Sequence, residues 1–165
     1  MLTPETYPSA RLDLRRLTRP EAQAIIDGGR DVPCAWAEDY PVLRDAFHAA
    51  RRVIDETDEW AIGTYLIIGR QSSLVVGELA VMTAPGSATI DIAYSVAPSV
   101  RNRGFATEAV LAILDVVTTN HAQIDEVRAF VLPTNVSSLR VLAKAGFTSS
   151  GQQRGIGVEW IRTLR

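Results

Sequence analysis

Apolar positions along this chain change their period several times, and each change marks a predicted element. From Arg11 to Leu17 the apolar residues Leu12 and Leu14 alternate with polar ones, which predicts a first edge strand. Thr18 is a suitable N-cap for a short helix over Arg19 to Ile26, and Gly28-Gly29 would end it. The stretch from Arg30 to Tyr40 has no period and reads as a loop holding Trp36 and Tyr40. Pro41 then opens a predicted helix to about Thr57, with Val42, Phe47, Ala50 and Ile54 as its inner stripe.

Three strands follow in hairpin order. They cover Trp60 to Ile68, Leu74 to Met82 and Ala88 to Val96, with Gly69-Arg70-Gln71-Ser72 and Pro85-Gly86 as turns. In the third, Ile90, Ile92, Tyr94 and Val96 share one face, and Asp91, Ala93 and Ser95 share the other. The clearest helix begins after Gly104, where Ala106, Ala109, Val110, Ile113, Leu114 and Val117 recur at the spacing of one buried stripe. A strand over Asp125 to Leu132, a helix over Asn135 to Ala145 and a last strand over Gly157 to Leu164 complete the pattern. No repeat or linker interrupts it. The expectation is one mixed α+β domain over 1–165, a mostly antiparallel central sheet flanked by helices.

Composition narrows the classes. The 17 Lys and Arg residues nearly balance 19 Asp and Glu, for a net charge of -2, which argues against a grip on nucleic-acid backbones. Cys34 is the single cysteine, so neither an intrachain disulfide nor a Cys-rich metal site is expected, and the residue reads as packing. No basic-then-apolar leader stands at the start, and no apolar run approaches the roughly 20 residues that span a bilayer. A soluble cytoplasmic protein with no membrane or nucleic-acid partner and no metal is the expectation.

The most informative segment runs from Ser95 through Arg101-Asn102-Arg103-Gly104-Phe105-Ala106-Thr107-Glu108. A strand ends, a short loop carries two arginines and a glycine, and a strong helix starts. Helix N-termini present free N–H groups and the positive end of a dipole, so they take phosphate readily. Gly104 can adopt a positive φ and admits a ligand close to the backbone, and the arginines add charge and forked donors. A solvated surface turn would look similar on these grounds alone. A dinucleotide fingerprint does not fit, having three glycines where this loop has one, and no Gly-Lys-Ser/Thr follows to make a nucleotide P-loop.

Arg101-x-x-Gly104-x-Ala106, following Tyr94-Ser95-Val96-x-Pro98, resembles the acetyl-CoA pyrophosphate loop of the GNAT superfamily of N-acetyltransferases. The longer run to Ala109 looks most like the branch of ribosomal-protein N-terminal acetyltransferases. A second match, Asn135-x-x-Ser138-Leu139-Arg140-Val141-Leu142-x-Lys144-x-Gly146-Phe147, lies downstream, and Ser9 to Thr18 is similar to that branch's first strand. The resemblance implies acetyl-CoA as co-substrate, no metal, and acetyl transfer to a primary amine by direct attack in a ternary complex. It places Val96, Arg101, Asn102, Arg103, Gly104, Phe105, Ala106 and Thr107 at the cofactor, with Asn135 both capping its helix and bonding the pantetheine arm. Gly146 ends that helix as a C′ glycine, and Phe147 packs back.

Acetyl transfer needs an amine without its proton, a polarised thioester carbonyl and a stabilised thiolate. Many relatives carry a tyrosine seven positions after the asparagine as proton donor to the thiolate. Leu142 stands there, and the resemblance offers the Ser138 hydroxyl instead. Asp91, on the strand leading into the loop, is the leading candidate for general base, since small Ala93 and Ser95 leave room for a cleft. Glu78 is the reserve on the neighbouring strand, and His48 and His121 fall on outer helices. Trp36 and Tyr40, with Glu38 and Asp39 between them, read as an aromatic and acidic site for a cationic amine. A lid or dimer contact, and hence a homodimer, is the other meaning open to that loop. A non-catalytic acyl-CoA-binding module on the same fold is the alternative to an enzyme.

Overall fold

Alternation decides most of the sheet. The computed structural model describes residues 5–28, 34–40, 47–55, 61–83 and 86–165. Among them, eight strands form one sheet in the order β1-β2-β3-β4-β5-β6-β8-β7. They are β1 (Thr6–Pro8), β2 (Leu12–Arg16), β3 (Ala61–Gly69), β4 (Val75–Thr83), β5 (Thr89–Val96), β6 (Glu126–Val131), β7 (Thr148–Arg154) and β8 (Gly157–Thr163). The helices are α1 (Arg19–Ile26), α2 (Phe47–Asp55), α3 (Phe105–Asn120) and α4 (Val136–Lys144). The sheet is antiparallel except where β5 runs parallel to β6, a pairing that requires a crossover and receives α3.

Local chemistry sets the helix ends. Thr18 and Glu21 form a capping box at α1, with the Thr18 N–H donating to Glu21 Oε2 at 3.0 Å. Asn135 caps α4 by accepting from the Ser138 N–H at 3.2 Å. That helix ends as expected at Gly146, whose φ of +82° lets the Phe147 N–H reach the Leu142 carbonyl at 3.0 Å. The stripe of α3 is buried through Ala109, Val110, Ile113, Leu114 and Val117, while Ala106 is only half-buried. In α2, Ala50 is buried and Ile54 packs half-buried against the core as expected, and Val53 is buried beside them; the Phe47 side chain lies outside the described residues. The expected start of α2 at Pro41, its residue Val42 and its end near Thr57 lie outside the described residues.

Neighbouring residues of β5 tell the two sheet faces apart. The Tyr94 hydroxyl donates to the Ser138 carbonyl of α4 at 3.2 Å, on one face. Ser95 points the other way, opposite Glu78 of β4, which Arg52 of α2 reaches at 2.7 Å. So α4 and α2 lie on opposite sides. The β4 and β5 backbones approach so closely at Gly77 that a Cβ there would collide with the Ser95 carbonyl oxygen.

One break in the sheet matters for the site. β5 and β6 pair only through Thr89↔Glu126, Ile90↔Val127 and Asp91↔Arg128. Beyond Asp91 the strands part, so β5 runs on to Val96 along an open gap. Among the described residues, no helix is long and apolar enough to cross a membrane.

Candidate active site

The loop after β5 takes the shape its residues dictate. Pro98–Val100 makes one 3-10 turn, and residues 101–104 turn again before α3. Asn102 (φ +59°) and Gly104 (φ +81°) are both left-handed, a state that Asn and Gly adopt most readily. Alternating backbone of this kind turns successive N–H groups toward one concavity and makes an anion cradle. The first α-helical bond runs from the Glu108 N–H to the Gly104 carbonyl at 2.9 Å. The N–H groups of Phe105, Ala106 and Thr107 lie ahead of it, where a ligand can use them.

The loop is braced from the β1–β2 turn. Glu108 accepts from the Ser9 hydroxyl, the Arg11 N–H and the Arg11 guanidinium, each at 2.7 Å. Arg11 also donates to the Arg103 carbonyl at 2.9 Å. Burial pushes the Glu108 carboxyl up, but the bonds from Ser9 and Arg11 outweigh it and hold the group below its ordinary range. The buried Phe105 ring has the Arg11 guanidinium 4.7 Å and the Arg103 guanidinium 5.2 Å from its centroid. Its side chain is therefore held in place by the two guanidinium groups and the core. On the other flank Asp39 accepts from the Ser99 N–H at 2.6 Å and the Ser99 hydroxyl at 2.8 Å. The Ser99 hydroxyl is the main reason the Asp39 carboxyl sits below its usual range.

A cavity of about 550 Å³ joins this loop to α4. Tyr94, Val96, Arg101, Gly104, Asn135 and Ser138 are among its lining residues, at the end of β5 that has left β6. Two segments far apart in the chain thus meet in one cleft. The Asn135 side-chain oxygen already accepts from the Ser138 N–H at 3.2 Å and the Ser137 hydroxyl at 2.9 Å. A carbonyl oxygen has two lone pairs, so any ligand contact falls to the NH₂ end of Asn135. Burial pushes the Tyr94 hydroxyl up to about 12, and its proton is committed to the Ser138 carbonyl. Tyr94 thereby fixes the first turn of α4, a role that its place in the strand pattern did not signal. Leu142 is fully buried and lies away from this lining, so position 142 serves the core.

The opposite face departs from the sequence reading. Asp91 does not stand alone in an apolar cleft: Arg128 Nε lies 2.8 Å and Arg154 Nη1 3.7 Å from its carboxylate. Glu78 is buried, pairs with Arg52 and faces Ser95 across the strands, which puts it at the cavity end of β5. Asp91 lies four residues back along the strand, about 13 Å at ~3.3 Å per residue. Tyr40 is 2% exposed and bonds Ser95 through its hydroxyl at 2.9 Å, so it is no open wall for a cationic substrate. Trp36 is half-buried with its ring 5.4 Å from that of Tyr40, and Asp39 is spent on Ser99. His48 is exposed on α2 and His121 caps the C-terminus of α3. Cys34 packs against the core, and burial pushes its thiol up.

An eight-stranded sheet parted at the one parallel junction among its described strands, with a helix N-terminus opening onto the gap, defines an acyltransferase fold. Residues 11–148 match the acetyltransferase (GNAT) domain, and the chain belongs to that family. A comparison with curated protein sequences finds no match. Among solved structures, it is similar to RimL, a ribosomal L7/L12 alpha-N-protein acetyltransferase in apo form (TM-score 0.72, 17% identity, 97% of this chain and 98% of that one). A GNAT-family acetyltransferase from Bacillus anthracis gives 0.69 at 17% identity, covering 97% and 99%. RimJ from Mycobacterium smegmatis, in complex with CoA-disulfide, gives 0.65 at 20% identity, covering 97% and 88%. These likenesses speak to the fold.

Proposed function

We propose that this chain moves an acetyl group from acetyl-CoA to a primary amine, of a polypeptide N-terminus or a small molecule, by direct attack in a ternary complex. The observation that carries the reading is the single cavity in which the left-handed Asn102–Gly104 turn, the start of α3 and the Asn135–Ser138 turn meet. The cradle fits a pyrophosphate: backbone N–H groups from 102–107 bind it, and the exposed Arg101 and Arg103 add charge. The NH₂ of Asn135 is placed for an amide of the pantetheine arm. A cytoplasmic location and one domain over 1–165 belong to the same proposal.

The acceptor nitrogen attacks the thioester carbonyl carbon, the C–S bond breaks, and its electron pair stays on sulfur. Ser138 lines the cavity half-buried, and its hydroxyl donates to that sulfur. The nitrogen's proton passes to a carboxylate, directly or through water. Position favours Glu78 for this, with Asp91 holding its two arginines instead. The ion pairing of both carboxylates favours one competing reading, an acyl-CoA-binding module without catalysis. The test is incubation with acetyl-CoA and a panel of peptides and small amines, following free thiol and acetylated product by mass. Thiol release that depends on an amine supports the enzyme; tight CoA binding with no transfer to any amine supports the binding module.

A further inference from the structure

The sheet face away from α4 carries a cationic platform beside the gap that the reaction itself does not require. Arg128 and Arg154 flank the Phe130 ring, with guanidinium carbons 5.8 and 5.3 Å from its centroid. Both are tied to one carboxylate, Asp91, at 2.8 and 3.7 Å. Two cations therefore share one anion. Glu78 and Glu126 share that face as well, Glu78 paired with Arg52; Glu159, across from Phe130, is 7% exposed and accepts from the Ser150 hydroxyl at 2.6 Å. It makes no ion pair with either arginine among the described residues. The Arg154 side chain is 72% exposed, and Ile156, 82% exposed, stands beside it in the β7–β8 turn.

The platform sits at the foot of the gap, because Asp91↔Arg128 is the last pair before β5 and β6 separate. Tyr94, the cavity-lining residue of β5 nearest the platform in the chain, lies three residues on, about 10 Å at ~3.3 Å per residue of strand. An extended peptide covers that distance in about three residues.

We propose that Arg128 and Arg154 select acceptors that are polypeptide N-termini with an acidic side chain at about the second to fourth position. This rests on the acetyl-transfer reading and deepens it. The acidic side chain pairs with the outer guanidinium of Arg154, while Asp91 keeps Arg128 and Arg154 in place over Phe130. Ile156 adds an apolar contact farther along the peptide, one that a small free amine would not reach.

The experiment uses three peptides identical except for Glu, Gln or Lys at position three, with saturating acetyl-CoA and thiol release as the readout. For the wild-type protein we expect kcat/KM to fall from Glu to Gln to Lys, by roughly three- to tenfold overall, with the spread shrinking at high salt. Arg154→Glu should invert the order, and Arg154→Lys should keep it. Equal rates on the three peptides, or an order unmoved by Arg154→Glu, would overturn the inference and leave acetyl transfer standing. Acetylation of small amines but of no peptide would overturn it as well. Failure of every acceptor despite CoA binding would remove the acetyl-transfer reading, and this inference with it.

Discussion

Replacing Gly104 with valine tests the phosphate cradle at the point where backbone conformation and ligand meet. The residue has φ +81° and is the N-cap of α3. A Cβ there would meet only Arg11 Nη2, at 3.4 Å, so the packing cost is small and the conformational cost dominates. Holding a non-glycine residue in the left-handed region costs about 1–3 kcal/mol, toward the top of that range for a β-branched side chain. The free protein can respond in two ways. If the turn keeps its shape, the strain lowers folding stability and Tm falls by about 2–4 °C per kcal/mol in a chain of this size. If the turn relaxes, stability is largely kept, but binding must restore the cradle, and Kd rises about tenfold for each 1.4 kcal/mol. Stability loss and affinity loss together should account for at least the strain. Gly104→Ala should show the same division at smaller size. Scanning calorimetry and titration with CoA on both variants measure the two parts. A folded Gly104→Val protein with unchanged Tm and unchanged CoA affinity would refute the cradle.

Three further outcomes follow from the same geometry. Ser138→Ala should slow single-turnover transfer by roughly tenfold to a thousandfold, since one bond to a developing charge is worth about 2–4 kcal/mol, with CoA affinity little changed; single-turnover rates equal to wild type would leave Ser138 a helix-surface serine. CoA affinity should weaken as salt is raised, and Arg101→Ala should flatten that dependence, whereas Arg103→Ala should also lower Tm because Arg103 stacks on Phe105. Glu108 is held below its ordinary carboxyl value of 4.5, so its stabilising contribution is full above about that pH and is lost as pH falls through the lower folded value. Glu108→Gln should therefore lower Tm at neutral pH by a few degrees, about 1 kcal/mol, and make the acid limb of the Tm profile shallower.

Elements that bury one face were legible in the sequence, and elements that bury nothing were not. Leu12 and Leu14 marked β2, and the α3 stripe marked its helix, because both sets are buried side chains. Strand β7, Thr-Ser-Ser-Gly-Gln-Gln-Arg, is almost wholly exposed and takes its place by pairing with β8, which no apolar period records. The three-residue β1 is hidden for the same reason. In the site, the left-handed turn at Gly104 was legible because glycine advertises such backbone, whereas the one at Asn102 was not read. The charge partners were not, since Asp91 and Arg128 lie 37 positions apart in the chain and meet only through the parallel register of β5 and β6. Tyr40 misled for a related reason: an aromatic beside acidic residues suits a cation site, but burial turned its hydroxyl to Ser95.

The parting of β5 from β6 has a thermodynamic side. From Ile92 to Val96, β5 lacks β6 as a ladder partner, so the middle of the sheet contains an edge. Edges elsewhere in proteins are shielded by charge, bulges or covering loops; this one faces the cleft, where a bound molecule with amide groups can fill the vacant pairing. Occupancy by such a molecule then becomes part of the protein's own stability, worth about 2.7 kcal/mol when free ligand stands at a hundred times its Kd. The β5 amides between Ile92 and Val96 that point into the gap should exchange with solvent faster in the empty protein and slow on CoA addition, while those bonded to β4, or to β6 within Thr89 to Asp91, stay protected in both. On the proposed acetyl-transfer reading, a shortage of acetyl-CoA would thus lower the lifetime of the folded chain as well as its turnover, joining the protein's abundance to the supply of that molecule.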